Sequence, residues 1–397
     1  MNQSDNGAAP TVLPPLWLLV VISAIGTIVM TGVLPANTAI MAELKTTYGS
    51  AQLVLSVFLL ALLFGQILLG NAADRIGRRP VMLGSLVGFS IGGALCAVAP
   101  SIESLLAARF VQGFFAASCM FLPRAMVRDV YGQEKSASMM GYMTVAMMVA
   151  PMFAPALGGF VTDHFSWRWM YAGLSGIGAV LGVLSWLLMN ETRSAHTAQS
   201  KGTSLLSASK DLLQTRTFNA CTIMLSGTVG LYYAFLAGAP FIMMESRGYS
   251  ASEFGRWFAI VPIGYLTGNL IAGRFSERFG VTRMITIGAI PGLLGVSLLW
   301  LFSDSAHPLS LFVPMNLIAL SNGMSIPNLM SAAMSVRSDL VSSAAGLSGA
   351  IQTGFGVVLT YVLGMLLPSG DNWLNIMVTL STALWLYGLW LWYSAKR

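Results

Sequence analysis

Two stretches of this chain place residues where they could do chemistry. The first, GNAADRIGRRP, runs from Gly70 to Pro80 and sets Asp74, Arg75, Arg78 and Arg79 within six positions, in a sequence of which only 9% is charged. An acid beside arginines can trade ion pairs and helix-end hydrogen bonds. Such contacts form in one conformation and break in another, which biases an equilibrium between the two. The second is Arg109, with Gln112 one turn further on, inside an apolar run. An arginine centred in a membrane span costs roughly 2.5–3.5 kcal/mol on insertion scales, so it is expected to face a cavity or a partner. Its expected role is substrate or proton handling; the alternative is an arginine near a helix end, satisfied by Glu103 or water. Cys96, Cys119 and Cys221 have no paired spacing, and His164, His196 and His307 share no ligand spacing. No metal site and no cofactor is therefore expected.

The elements that must carry these residues are hydrophobic. The 397 residues are 55% hydrophobic and have a mean hydropathy of +0.72, whereas a soluble domain carries about 25% charged residues. Lipid is the expected solvent, and the lipid bilayer the expected partner. Twelve runs are long enough to cross it as helices: 16–41, 51–71, 81–99, 102–126, 138–162, 169–189, 218–244, 253–275, 284–302, 308–334, 344–367 and 373–394. If the N-terminus is inside, sixteen of the 21 Lys and Arg residues fall on the inner side. Lys45, Arg168, Arg247 and Arg256 fall on the outer side, and Arg109 alone lies within a span away from its ends. That bias predicts that both termini are cytoplasmic. It also accounts for the basic charge, which forms no patch, so no nucleic-acid partner is expected. The first apolar run is too long for a signal-peptide core and reads as a retained helix.

A polar stretch, residues 190–217, separates two six-span units, 1–189 and 218–397, and reads as a solvated cytoplasmic linker. The units are related: Gly70, Asp74, Arg75 and Gly77 match Gly273, Glu277, Arg278 and Gly280 at a constant offset of 203. Setting topology needs only Lys or Arg; it does not need glycines and an acid at fixed offsets, twice. Repeated halves point to a transporter with its site near the midplane between them. Val281 and Thr282 replace the second basic pair, so the second copy is the less basic.

The loop resembles the signature loop of the major facilitator superfamily. Leu105, Arg109, Gln112 and Gly113 resemble that family's fourth-helix pattern. Gly141, Pro155, Leu157, Gly158 and Gly159, with Pro151 nearby, resemble its antiporter motif in the fifth helix, a motif associated with exporters. Arg124-Ala-Met-Val-Arg128-Asp129-Val-Tyr131 resembles the bicyclomycin and chloramphenicol resistance subfamily. The resemblance implies an all-α membrane protein of twelve transmembrane helices in two pseudo-symmetric halves, with helices 1, 4, 7 and 10 around a central cavity. Gly70, Asp74, Arg75, Gly77, Arg78, Arg79, Glu277 and Arg278 would form conformational latches. The substrate-binding set would be Arg109, Gln112, Thr31, Asn37, Tyr232, Tyr233, Asn316 and Asn322. Ser23, Thr27 and Thr31 share a helix face; for each hydroxyl, a bond to its own helix backbone is an equal alternative.

One departure from the family is consequential. All fifteen acids fall in loops, tails or helix ends. Aligning on Pro35 puts Thr31 where the subfamily carries an acid, and threonine cannot exchange protons. Neutral or anionic substrates are expected, because a cation would find no counter-charge. Protons remain the expected coupling ion; Glu103 or Asp129 is the available acid. The sequence thus predicts a monomeric secondary transporter in a bacterial inner membrane. It would export small neutral or anionic drug-like compounds by alternating access, as a proton antiporter. A transporter of a small polar or anionic metabolite is the rival reading. The chain has no Gly-Lys dipeptide for a phosphate loop and no mid-span acid or histidine for an enzyme. A channel, which would need rings of residues from several chains, is disfavoured by the two-half repeat.

Overall fold

A computed structural model describes residues 14–192, 205–336 and 341–394. Within these, the side chains of Asn71, Asp74, Glu277, Pro151 and most of 128–152 lie outside the description. The described chain is helical, and eleven of its helices or helix groups are long and apolar enough to span a membrane. In order they are α1 (Leu16–Thr31), α2 (Asn37–Glu43), α3 (Tyr48–Ile76), α4 (Arg78–Ala97), α5 (Ile102–His164), α6 (Trp167–Leu188), α7 (Leu205–Leu213), α8 (Arg216–Pro240), α9 (Ala251–Phe258), α10 (Ile260–Phe279), α11 (Val281–Leu301), α12 (Leu309–Ser335), α13 (Val341–Leu366) and α14 (Asn372–Ser394).

The largest departure from the sequence reading is α5, where 102–126 and 138–162 were expected as separate helices. Their helical assignment is continuous over 63 residues, about 95 Å if straight. It is not straight. Arg124 Nη2 lies 3.0 Å from Met147 Sδ, two positions that a straight helix would hold about 35 Å apart. α1 touches both arms, Gly26 meeting Met120 and Gly32 meeting Ala154 and Gly158. The stretch folds back on itself and supplies two crossings, the twelfth span being the arm that ends at His164.

Three other expected spans are broken at or near a proline. The first stops at Thr31, passes through a 3-10 turn at Leu34–Ala36 and resumes as α2. Pro35 has no N–H to continue the α-helical ladder. The seventh ends in a π-helical turn, Phe241–Ser246, just after Pro240. The eighth is split between α9 and α10 at Ala259, three residues before Pro262. The linker's far end, expected to be solvated, is helical as α7, and Leu212 is fully buried in a cluster with Phe218. Residues 193–204 and both termini lie outside the described residues.

The halves repeat their packing. α5 lies against α3 and α4 in the first half, as α12 lies against α10 and α11 in the second. Glycine allows these close approaches. A Cβ at Gly92 would strike the Gln112 backbone, and one at Gly268 would strike Leu320 O. A Cβ at Gly84 would meet nothing. The pseudo-symmetry extends to backbone conformation: Gly77 (φ 111°) and Gly280 (φ 80°), 203 residues apart, each start the following helix from a left-handed φ.

Candidate functional site

The corner of the charged loop is built around a residue that the sequence reading passed over. α4 begins at Arg78 with no side-chain cap from its own N-cap, Gly77. Glu191, just past the end of α6, supplies one from a distance: its Oε1 accepts from the Arg78 N–H at 2.8 Å and its Oε2 from the Arg79 N–H at 3.2 Å. A carboxylate is favoured there because the first amides of a helix are unpaired and carry partial positive charge. Arg79 Nη2 donates to Trp186 O at 2.8 Å, and any Cβ at Gly77 would collide with the Glu191 carboxylate. Arg78 is buried and Arg75 exposed. Gly70 lies within α3, six residues before its end, and Arg278 in the last turn of α10. Asp74 and Glu277, the acids of the two expected latches, have side chains outside the described set. The clue to Glu191 was an acid immediately after the sixth span, opposite a basic loop. Glu191→Ala should cost about 1 kcal/mol, as loss of a helix cap does. It should speed hydrogen exchange at the Arg78 and Arg79 amides; unchanged exchange would refute the cap.

Arg109 and Gln112 are brought together as expected, inside the packing of the first half. Arg109 is 1% exposed and Gln112 fully buried. Arg109 Nη1 donates to Gln112 Oε1 at 2.8 Å, and Nε donates to Val54 O on α3 at 3.3 Å. The guanidinium lies over the Phe58 ring (4.3 Å) and near that of Tyr171 (5.5 Å). Helices α3, α4 and α6 of its own half therefore enclose it. Its partners are neither of the two foreseen: Glu103 sits at the start of α5, where Ser101 and Ser104 form a capping box, and a backbone carbonyl and an amide take the place of water. Planarity explains this solution, because a guanidinium can stack on a ring while donating in its own plane.

The remaining expected substrate contacts are spread over α1, α2, α8 and α12. Thr31 Oγ1 bonds back to Thr27 O, and Ser23 and Thr27 do likewise within α1. Asn37 Nδ2 donates to Gln52 Oε1 at 3.2 Å. Asn316 braces α12 to Ile260 O at 2.6 Å, and Asn322 braces it to Thr228 O at 3.1 Å. Tyr232 and Tyr233 are half-buried on α8 with ring centroids 6.1 Å apart, and Tyr233 packs where a side chain at Gly356 would stand. These amides and hydroxyls mostly hold helices together, because a polar group in a low-dielectric interior takes the nearest partner.

Between the halves, two features stand out. One is a seal at the end that carries few Lys and Arg residues. Tyr48 Oη donates to Ala237 O at 3.0 Å, Ser56 and Thr360 share a 2.9 Å hydrogen bond, and Ser252 N donates to Asp163 Oδ2 at 2.8 Å. Backbones nearly touch there: Gly159 abuts Ala251 O, Gly255 abuts Pro155 O and Gly49 abuts Gly364 O. Of the antiporter-motif residues, Pro155, Gly158 and Gly159 thus stand at or beside this junction, whereas Leu157 is exposed. Near the same end, Glu43 ties the first half together, pairing with Arg168 at 2.9 Å and accepting from Trp167 Nε1 at 2.6 Å. The other feature is Arg124. It is exposed, although it sits within a span, and Tyr265 lies within electrostatic reach of it from the second half. Tyr265 in turn neighbours Tyr232. The sequence count placed Arg124 with the loops because it lies so near the end of its span.

The Major Facilitator Superfamily model matches residues 16–361. This chain belongs to the major facilitator superfamily. It is 28% identical over 370 residues to Multidrug resistance protein D of Escherichia coli, covering 92% of each chain. It is 29% identical over 367 residues to the Chloramphenicol resistance protein of Pseudomonas aeruginosa, covering 90% of this chain and 85% of that one. Among solved structures, a bacterial homolog of the human lysosomal transporter Spinster, inward-facing and occupied, superposes with a TM-score of 0.75 at 15% identity over 96% of each chain. The nucleoside transporter NupG does so with a TM-score of 0.71 at 16% identity, over 96% of this chain and 98% of that one. The superfamily protein described here is therefore a multi-pass membrane transporter of a small molecule, built as twelve helices in two six-helix halves.

Proposed function

We propose that this transporter exports small neutral or anionic drug-like compounds across a bacterial inner membrane by proton-coupled alternating access. The observation that carries the reading is the one-ended seal: glycine-packed and hydrogen-bonded contacts join the halves at the Lys/Arg-poor end. By the positive-inside bias that end is periplasmic, which makes this the inward-facing state with both termini in the cytoplasm. The two halves, 1–189 and 218–397, rock about the seal, and a single chain suffices. The multidrug and chloramphenicol resistance relatives support export. Arg124, with Tyr265 of the second half within its electrostatic reach, supplies a cation, which suits substrates bearing acceptors or negative charge.

The test is a susceptibility panel of chloramphenicol, florfenicol and bicyclomycin in an exporter-depleted host, with and without a protonophore. Resistance that the protonophore abolishes is the expected result. Sensitivity despite verified membrane expression refutes drug export. Arg124 also favours a second reading, an anionic metabolite as substrate. Arg124→Ala should reduce transport of an anionic substrate at least tenfold and that of a neutral one far less. Equal losses for both would remove Arg124 from the binding site.

A further inference from the structure

We infer that Gln52 is a built-in destabiliser of the seal: closing the halves strips water from its side-chain NH2 and supplies no bond in return, which keeps the open state within reach. The inference rests on the reading of the Lys/Arg-poor end as a gate. It depends on no substrate, coupling ion or direction of transport.

Tyr48, Gln52 and Ser56 recur at four-residue steps and so share one face of α3. That face meets the second half. Tyr48 Oη donates to Ala237 O of α8 at 3.0 Å, and Ser56 shares a 2.9 Å hydrogen bond with Thr360 of α13. Gln52 stands between them and is 1% exposed. A Cβ at Gly364 of α13 would strike Gln52 Cβ and Cγ, so the second half lies directly on this side chain. Gln52 Oε1 accepts from Asn37 Nδ2 at 3.2 Å, a partner of its own half. Gln52 Nε2 is buried and has no hydrogen-bond partner among the described residues.

Closure does not require polar groups at these positions, as the repeat makes plain. At the offset of 203, Tyr48, Gln52 and Ser56 correspond to Ala251, Gly255 and Ala259. There the halves pack flush on small residues, Gly159 against Ala251 O and Gly255 against Pro155 O. One junction thus closes dry, and its counterpart carries an amide with a donor to spare. A buried donor without a partner costs the loss of its hydration. Tyr48 and Ser56 exchange water for a bond across the halves; Gln52 Nε2 exchanges it for nothing. When the halves part, water returns to this face and the cost disappears. Alternating access needs both states populated, and a seal without such a counterweight would hold the chain in one of them.

The experiment is labelling of Ser252→Cys by an impermeant maleimide in the full chain, which reads the open fraction of this end without any substrate. Ser252 is half-buried in the seal, and the native cysteines are buried. Asn37→Leu removes the one partner of the Gln52 amide and should speed labelling about fivefold or more. Asn37→Leu combined with Gln52→Met replaces both amides by apolar groups of similar shape and leaves nothing unmet. Labelling should then be about fivefold slower than in Ser252→Cys alone, with a melting temperature no lower. If the two amides merely brace the first half, both variants loosen it. Faster or unchanged labelling in the double variant, or a lower melting temperature, therefore overturns the inference. Gly159→Leu, which wedges the dry junction, separates the two possible failures. If it speeds labelling while the double variant does not slow it, the gate stands and the role of Gln52 falls. If Gly159→Leu leaves labelling unchanged, this end is not a gate and both readings fall.

Discussion

Gly159→Leu is expected to stop transport while leaving the protein folded and in the membrane. A Cβ at this position would meet Ala251 O, and the facing Gly255 stands equally close to Pro155 O. Both neighbours are backbone, so neither can rotate away as a side chain would. Overpacking of this kind costs about 1–3 kcal/mol. Here the cost falls only on the conformation in which the two halves meet. A differential cost of that size shifts a two-state equilibrium roughly 5- to 150-fold. The sealed state therefore becomes scarce and the cycle stalls with that end open. The check is a transport rate in proteoliposomes, paired with labelling of Ser252→Cys by an impermeant maleimide. Cys96, Cys119 and Cys221 are buried, so background labelling should be low. Ser252→Cys should label slowly alone and quickly when combined with Gly159→Leu. A wild-type transport rate in Gly159→Leu would show that this contact is not a gate.

Arg109→Ala is expected to destabilise the protein by about 2–4 kcal/mol, from a new cavity and from the abandoned Gln112 and Val54 acceptors. Transport should fall with it. Arg109→Lys should do little better, because a point charge on a flexible stem cannot lie flat on Phe58 while donating to both acceptors. Melting in detergent and substrate KM together separate a brace from a binding group. A brace predicts a lower Tm in both variants with KM little changed in the surviving protein. A binding group predicts a wild-type Tm with KM raised, and that result would return Arg109 to the substrate site.

The twelve spans were legible in the sequence because each is a long apolar run between polar breaks, and lipid leaves a spanning backbone no alternative to the helix. The repeat was legible because both copies need a glycine at a left-handed φ, and Gly77 and Gly280 fall 203 residues apart. The small residues of the fifth span were legible as a motif. That Gly159 meets Ala251 across the two halves was not, since no local pattern names a partner 92 positions away. Arg109 shows the limit most clearly. The sequence dictated that a buried cation must have partners. Which partners depended on the rotation of its helix, and that rotation turned it toward Val54, Phe58 and Tyr171 of its own half.

What the sequence determined by itself was therefore the family, the helical crossings, the charge bias between the two ends and the absence of a mid-span acid. All of these are properties of residue type and local order. The tertiary structure alone decided that Glu191 caps α4, that the polar residues of α1 and α12 are mostly spent on internal bonds, that the halves seal at one end and that Tyr265 comes within electrostatic reach of Arg124. Each depends on which faces of distant helices meet. Hydrophobic runs drive helices into a bilayer without choosing their rotation, and only close packing and the pairing of buried polar groups make that choice.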